Sequence, residues 1–133
     1  MFNKKTTASS AAIESLISAG TTIEGNVRFK GGLRIDGTVK GNVVAEDGAA
    51  STLVLSESGR IEGQVCAAHL MINGAIVGPI TATETIELQP KAKVNGEIHY
   101  VALEMHHGAV VDGTLMHLEN GRPGLKLAAS NEN

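Results

Sequence analysis

The chain has 133 residues and a formal net charge of −3, and 42% of its residues are hydrophobic while 19% are charged. This size and balance fit one globular domain with tails. It contains no Trp, one Tyr and two Phe, and the negative charge together with the lack of stacking aromatics argues against nucleic-acid binding. The core must be built from Ile, Val and Leu, which suits a narrow β-structure.

The composition and the absence of targeting segments also predict where in the cell the protein is located. The single cysteine, Cys66, allows no internal disulfide bond. No stretch approaches the roughly 20 apolar residues of a membrane-spanning helix. Residues 1–20 lack the continuous apolar segment of a secretory signal. We therefore expect a cytoplasmic protein.

Residues 1–19 are predicted to be a flexible N-terminal tail with a membrane-targeting start. Met1 and Phe2 form an apolar pair beside two cations, Lys4 and Lys5. Such a segment can insert into the headgroup region of a bilayer while its lysines meet anionic lipid. One copy would bind weakly, but many copies on a polymer would bind together.

The domain that follows is predicted to span residues 20–118. Ile13, Leu16 and Ile17 precede it, and their spacing is compatible with one helical turn or with an extra strand. Residues 119–133 combine turn formers with a polar end, which predicts a flexible C-terminal tail.

Within the domain the chain repeats a five-residue word, apolar-x-Gly-x-apolar. The copies are Ile23–Val27, Ile35–Val39, Val39–Val43, Ile61–Val65, Ile72–Ile76, Ile76–Ile80, Val94–Ile98 and Val111–Leu115. Repetition of a short unit predicts a stack of similar rungs. Apolar and polar residues alternate with the period of a strand, and glycine recurs where the chain must bend sharply. We expect a parallel β-helix of about five to six triangular rungs.

The spacing of the rungs favours one hand of the coil. The left-handed hexapeptide β-helix needs a strict period, whereas Leu53, Leu70, Ile86 and Leu103 follow one another at 17, 16 and 17 residues. Parallel crossovers are right-handed by default, so we predict a right-handed coil. The Ala45–Thr52 segment lengthens one rung and is expected to bulge out as a loop.

The histidines do not predict a metal site. They are His69, His99, His106, His107 and His117. The adjacent pair should point to opposite faces of a strand, while His99 and His117 are expected to stack on one face. Two imidazoles fall short of the three or four ligands that zinc requires, so we predict surface histidines and no bound metal.

The carboxylates do not predict a catalytic site either. Acidic clusters serve pectin-degrading β-helices, but their clefts also need sugar-stacking aromatics, which this chain almost lacks. Lys40 and Glu62 share an outward slot in adjacent rungs and are placed to pair, whereas Glu87 and Glu104 share another and should repel mildly. No phosphate-binding loop motif occurs, so we predict no nucleotide and no other cofactor.

The repeated words and the opening Met1–Lys5 resemble the bactofilins, bacterial cytoskeletal proteins that polymerise without nucleotide. The resemblance covers about residues 20–118 together with Met1–Lys5, and the segment Ile35–Val43 is close to the family pattern and fairly specific to it. It implies a right-handed β-helix that stacks end to end into non-polar filaments. It also implies filaments on the cytoplasmic face of the bacterial inner membrane that recruit cell-wall synthases or hydrolases.

The ends of such a rod are the predicted polymerisation interface. They expose unpaired backbone groups above an apolar layer, a template that natural proteins normally cap, and no cap helix is evident in the sequence. The predicted interface residues are Ile23, Val27, Val111, Leu115 and Leu118. The leading hypothesis is a non-enzymatic, filament-forming scaffold whose partners are further copies of itself and anionic lipid.

Two alternatives remain open at this stage. The first is an acyltransferase or γ-carbonic anhydrase-like enzyme built on a left-handed β-helix, which would form a trimer with clefts between coils or hold zinc. The second is a β-helical adaptor that does not polymerise, which light scattering would distinguish from a filament.

Overall fold

The computed structural model describes residues 12–46, 50–119 and 122–123, and short β-strands joined by tight corners dominate it. In chain order the strands are β1 Ile13–Ile17, β2 Thr22–Glu24, β3 Val27–Phe29, β4 Gly32–Ile35, β5 Thr38–Lys40, β6 Val43–Ala45, β7 Thr52–Leu55, β8 Arg60–Glu62, β9 Val65–Ile72, β10 Ala75–Val77, β11 Ile80–Leu88, β12 Lys93–Asn95, β13 Ile98–Met105, β14 Val110–Asp112, β15 Leu115–Glu119 and β16 Arg122–Pro123. Within the described ranges, no helix has the length and hydropathy needed to cross a bilayer.

These strands stack in two parallel sheets. One sheet has the order β14-β12-β10-β8-β5-β2, and the other contains the order β1-β4-β7-β9-β11-β13-β15 together with β3 and β6. Strands β9, β11 and β13 are long because each supplies the last strand of one coil and the first strand of the next. The described residues therefore form a parallel β-solenoid of about six coils, which confirms the predicted all-β fold; its handedness stays a prediction.

Equivalent side chains of successive coils lie above one another. Val39 pairs with Ile61, Ile61 with Ile76, and Ile76 with Val94, all in parallel register. These side chains are buried in the interior. Because parallel strands are about 4.8 Å apart, branched apolar side chains of similar size pack directly on one another and fill most of the narrow core. Among the described residues, Phe29 is the one buried aromatic.

A column of glycines explains the repeated word. The corner after the second strand of each coil is occupied by Gly25, Gly41, Gly63, Gly78, Gly96 and Gly113. A Cβ atom placed on Gly96 would lie 2.5 Å from the carbonyl oxygen of Gly78, and one on Gly78 would meet the carbonyl oxygen of Gly63 even more closely. Glycine recurs because the backbones of adjacent coils touch at this corner.

Amide side chains next to this corner link the first coils. The backbone N–H of Asn42 donates to the Oδ1 atom of Asn26 at 2.9 Å, and that of Gln64 donates to the Oδ1 atom of Asn42 at 3.0 Å. These bonds satisfy backbone donors at a bend, where the sheet pattern cannot.

Strands lie beyond both predicted bounds of the domain, residues 20–118. Ile13–Ile17 forms strand β1 in parallel with β4, so the extra-strand alternative holds and the solenoid begins inside the segment predicted as a tail. At the other end Arg122–Pro123 pairs antiparallel with Leu118 and Glu119, inside the predicted C-terminal tail. The expected Ala45–Thr52 loop lies between β6 and β7, and residues 47–49 are outside the described ranges.

Replacing a glycine of the column should destabilise the solenoid wherever another coil lies beneath it. Gly78→Ala and Gly25→Ala introduce a side chain at similar backbone angles, φ +142° and +137°, but only the first meets a neighbouring backbone. We expect Gly78→Ala to lower the free energy of unfolding, measured by urea denaturation, by at least about 2 kcal/mol more than Gly25→Ala. Equal losses would show that close approach does not dictate the glycines.

Candidate functional site: the open ends of the solenoid

No described strand pairs with the outer edge of the first coil. Strands β1, β2 and β3 pair with β4, β5 and β6 of the second coil, and no other described strand lies on their opposite side. The N–H and C=O groups along this edge are therefore available to another strand.

The last coil is open in a similar way except at one corner. The Ala102–Met105 part of β13 pairs with β11, and β14 pairs with β12, but no described strand covers the far side of either. Strand β15 pairs with β13, while β16 covers it at Leu118 and Glu119. The two-residue β16 thus closes only a small part of this end.

Inward-facing apolar side chains become exposed where the stack ends. Leu115 continues the column of Ile80 and Ile98; those two are fully buried, but Leu115 is 46% exposed. Met105 continues the column of the fully buried Leu88 and is also 46% exposed. A further coil would cover both side chains, each contributing on the order of 1 kcal/mol.

Four of the five predicted interface residues lie in these end coils with part of their surface accessible. Ile23 and Val27 are half-buried in β2 and β3, Val111 is half-buried in β14, and Leu115 is exposed in β15. Leu118 differs, because it is only 4% exposed and its backbone pairs with Pro123. The sequence predicts Leu118 at the open end because the residues after it are typical of a tail, whereas in the structure Pro123 pairs with its backbone.

Further apolar side chains at the ends were not predicted as interface residues. They are Ile13, Leu16, Met105, Val110 and Met116, with exposures between 45% and 57%. Nothing in the residue types Ile, Leu, Met and Val marks these positions as interface residues. Met105 is exposed because it ends the inward column of Leu88. By contrast, Leu16, Val110 and Met116 continue outward columns through Arg34, Lys93 and His99, and they would be exposed in any coil.

The predicted membrane-binding residues Met1, Phe2, Lys4 and Lys5 lie outside the described residues. Their role therefore stays a prediction.

Charged side chains on the outer surface form local pairs. Lys40 and Glu62 occupy the same slot of adjacent coils, as predicted. The pKa of Glu62 is lowered chiefly by a hydrogen bond from the Nε atom of Arg60, at 2.7 Å from Oε2, and further by the positive charges of Arg60 and Lys40. These contacts fit solubilising positions.

The predicted stacking of His99 and His117 is wrong. His99 lies opposite Met116, and His117 lies opposite Tyr100, with ring centroids 5.5 Å apart in an edge-on arrangement. The prediction was off by one residue, and in a β-strand such a shift moves a side chain to the other face.

The structure does bring together one polar cluster that the sequence analysis missed. Glu87 and Glu104 lie opposite each other, as predicted, and the Nε2 atom of His106 contacts both carboxylates. His106 follows β13 at a corner, where the two-residue period of a strand no longer tells which way a side chain points.

In the described part of the chain, both ends of the parallel solenoid are largely uncovered, which places the protein in the class of repeat proteins whose ends need a cap or a further copy. The chain belongs to the bactofilin family, because the family model described as "Bactofilin: Polymer-forming cytoskeletal" matches residues 15–116. This confirms the predicted family and favours the filament hypothesis over the enzyme and adaptor alternatives.

Individual relatives and a solved structure agree with the family assignment. The chain is 32% identical over 78 residues to bactofilin BacP of Myxococcus xanthus, a match that covers 59% of this chain and only 32% of BacP. It is 26% identical over 114 residues to bactofilin BacO of the same organism, covering 86% of this chain and 85% of BacO. The structure of Thermus thermophilus bactofilin double helical filaments matches with a TM-score of 0.72 and 32% identity, covering 78% of this chain and 99% of that one.

A charge should be tolerated at the end of the stack but not in its middle. Ile76→Arg places a cation among fully buried side chains and should cost several kcal/mol, enough to unfold the domain. Leu115→Arg can extend its charge into water and should change the free energy of unfolding by about 1 kcal/mol or less. Circular dichroism during thermal melting measures both; equal destabilisation would contradict the assignment of Leu115 to an open end.

Proposed function

We propose that this protein is a structural scaffold whose filaments grow without nucleotide by end-to-end stacking of solenoids. The observation that carries the proposal is the change in burial along the inward columns. Side chains such as Ile80 and Ile98 are fully buried, whereas Leu115 in the same column is exposed for want of a further coil. Another copy of the chain can supply that coil.

The free energy of assembly comes from the same interactions that hold the coils together. Stacking pairs the open strand edges and covers the exposed apolar layer, so neither nucleotide hydrolysis nor a bound cofactor is needed. The role is structural rather than catalytic, in keeping with the description of the family.

The proposed contacts are head-to-head and tail-to-tail, which gives a filament without polarity. Each contact is then isologous, meaning that the same patch of both copies meets across a two-fold axis. Blocking one end of the solenoid would leave the other contact intact and would stop growth at a dimer. A head-to-tail filament would instead lose all assembly when either end is blocked.

The proposed location is the cytoplasmic face of the bacterial inner membrane. Met1 and Phe2 would insert among headgroups while Lys4 and Lys5 meet anionic lipid, at about 1 kcal/mol for each lysine. A filament presents this start many times, so binding that is weak for one copy becomes strong for the polymer. Cell-wall synthases or hydrolases are the proposed clients of the membrane-bound filament.

Purified protein should form filaments in physiological salt without ATP, GTP or added metal, as seen by negative-stain microscopy and light scattering. Leu115→Arg should stop at a dimer, because it charges one end only. Val77→Arg is the matched control, since Val77 is an exposed, outward residue of a middle coil, and it should still form filaments. A wild-type protein that stays monomeric at tens of micromolar, or long filaments of Leu115→Arg, would contradict the proposal.

Deleting residues 1–5, or changing Phe2 to Ser, should release the protein from anionic liposomes without stopping polymerisation. Changing Lys4 and Lys5 together to Ser should weaken binding, and raised salt should have the same effect because it screens the lysines. Co-sedimentation with liposomes measures binding, and light scattering without liposomes confirms assembly. Full binding by the five-residue deletion would remove the membrane role from this segment.

A further inference from the structure

We propose that Glu87, Glu104 and His106 form a binding site for a divalent transition-metal ion, with zinc as the best-matched candidate. The site lies on the outer surface of the fifth and sixth coils. The site borders the proposed stacking end, because Glu104 and His106 flank Met105 in the last coil, but the proposed stacking contact is made by strand edges and inward side chains rather than by these three.

The fold itself brings the three side chains together. Glu87 of β11 and Glu104 of β13 are partners in parallel register. His106 follows β13, and its backbone N–H donates to the carbonyl oxygen of Leu88 at 2.8 Å, which fixes the corner beside both carboxylates. One ligand atom from each of the three side chains lies within 4.8 Å of the other two.

The distances are close to those around a shared ion. The Nε2 atom of His106 is 2.8 Å from Oε2 of Glu87 and 3.3 Å from Oε2 of Glu104. Ligand atoms that surround zinc tetrahedrally at about 2.1 Å are separated by about 3.4 Å. A small rotation of the side chains therefore suffices to admit an ion among the three atoms.

The charge at this place differs from that at two other surface carboxylates, Glu62 and Asp36, which lie beside arginines. Glu62 pairs with Arg60 at 2.7 Å, and Asp36 pairs with Arg34 at 2.8 Å. Among the described residues, no lysine or arginine forms an ion pair with Glu87 or Glu104, whose only such partner is His106. Like charges directly opposite in a sheet repel, and a divalent cation between the two carboxylates would neutralise both.

The donor set selects the kind of metal. One imidazole nitrogen and two carboxylate oxygens are ligands that zinc accepts, and three protein ligands leave a position for water. Calcium and magnesium prefer sites made of oxygen alone, so the imidazole favours a transition metal. Copper and nickel can bind the same donors, and availability would decide among them.

We expect the bound ion to cross-link the last two coils. Glu87 belongs to the fifth coil, whereas Glu104 and His106 belong to the sixth. The side chain of Glu104 is 70% exposed and that of His106 is 37% exposed, so an ion can enter from solvent. This exposure predicts moderate affinity and reversible binding.

Equilibrium dialysis tests the site on the 133-residue chain without a histidine tag. Chelator-treated protein, including its filaments, is dialysed against micromolar ZnCl₂, and bound zinc is measured by mass spectrometry. We expect one ion per chain. His106→Gln, Glu87→Gln and Glu104→Gln should each weaken binding by about tenfold or more. His107→Gln, which alters the adjacent exposed histidine, is the matched control and should bind as the wild type does.

A second measurement separates a metal site from a hydrogen-bonded cluster. Bound Co²⁺ should show visible d–d absorption in the wild type and in His107→Gln but not in His106→Gln. Circular dichroism verifies that each variant is folded, and Glu104→Gln changes the most exposed of the three ligands. Zinc content that is absent from the wild type, unchanged in the three ligand variants, or equally reduced in His107→Gln would overturn the proposal.

Discussion

Each coil of the solenoid has its backbone hydrogen bonds and its apolar interior completed by the coils on either side of it. The pairing of Val39 with Ile61 and of Ile61 with Ile76 shows this arrangement in one column. It explains the repeated sequence, because similar neighbours require similar residues at each level. It also explains the glycine column, since adjacent backbones meet at the corner that Gly78 and Gly96 occupy.

The same arrangement leaves the ends incomplete. A globular protein closes its core on itself, whereas a stack of coils always has a first and a last layer. Here the last layer exposes Leu115 and Met105, which would be interior residues at any other level. The middle coils therefore contain the fully buried side chains, whereas the last coil leaves inward side chains exposed. Membership of a polymer-forming family fits this division.

Much of the fold could be predicted from the sequence because the five-residue word, apolar-x-Gly-x-apolar, recurs throughout the domain. Words such as Ile61–Val65 and Ile72–Ile76 place strands and corners directly. Strand β1 could not be decided, since Ile13–Ile17 lacks the glycine word and becomes a strand only by pairing with β4. Strand β16 was missed because its partner, the end of β15, does not repeat any earlier coil.

Side-chain sites were harder to predict than strands. The shared slot of Glu87 and Glu104 follows from counting residues, and the structure confirms it. The contact of His106 with both depends on the direction of a corner residue, which a strand period does not specify. Counting residues also predicted that His99 stacks on His117. That prediction was wrong because the true register differs by one residue.

The axial spacing of subunits in the filament tests the central claim most directly. If ends stack on ends, electron cryo-microscopy of the polymer should show a continuous solenoid with strand layers about 4.8 Å apart and a rise of about 29 Å per subunit, the length of six such layers. With head-to-head and tail-to-tail contacts, the structural repeat should contain two subunits. A filament in which solenoids lie side by side, with the end coils facing solvent, would contradict the account.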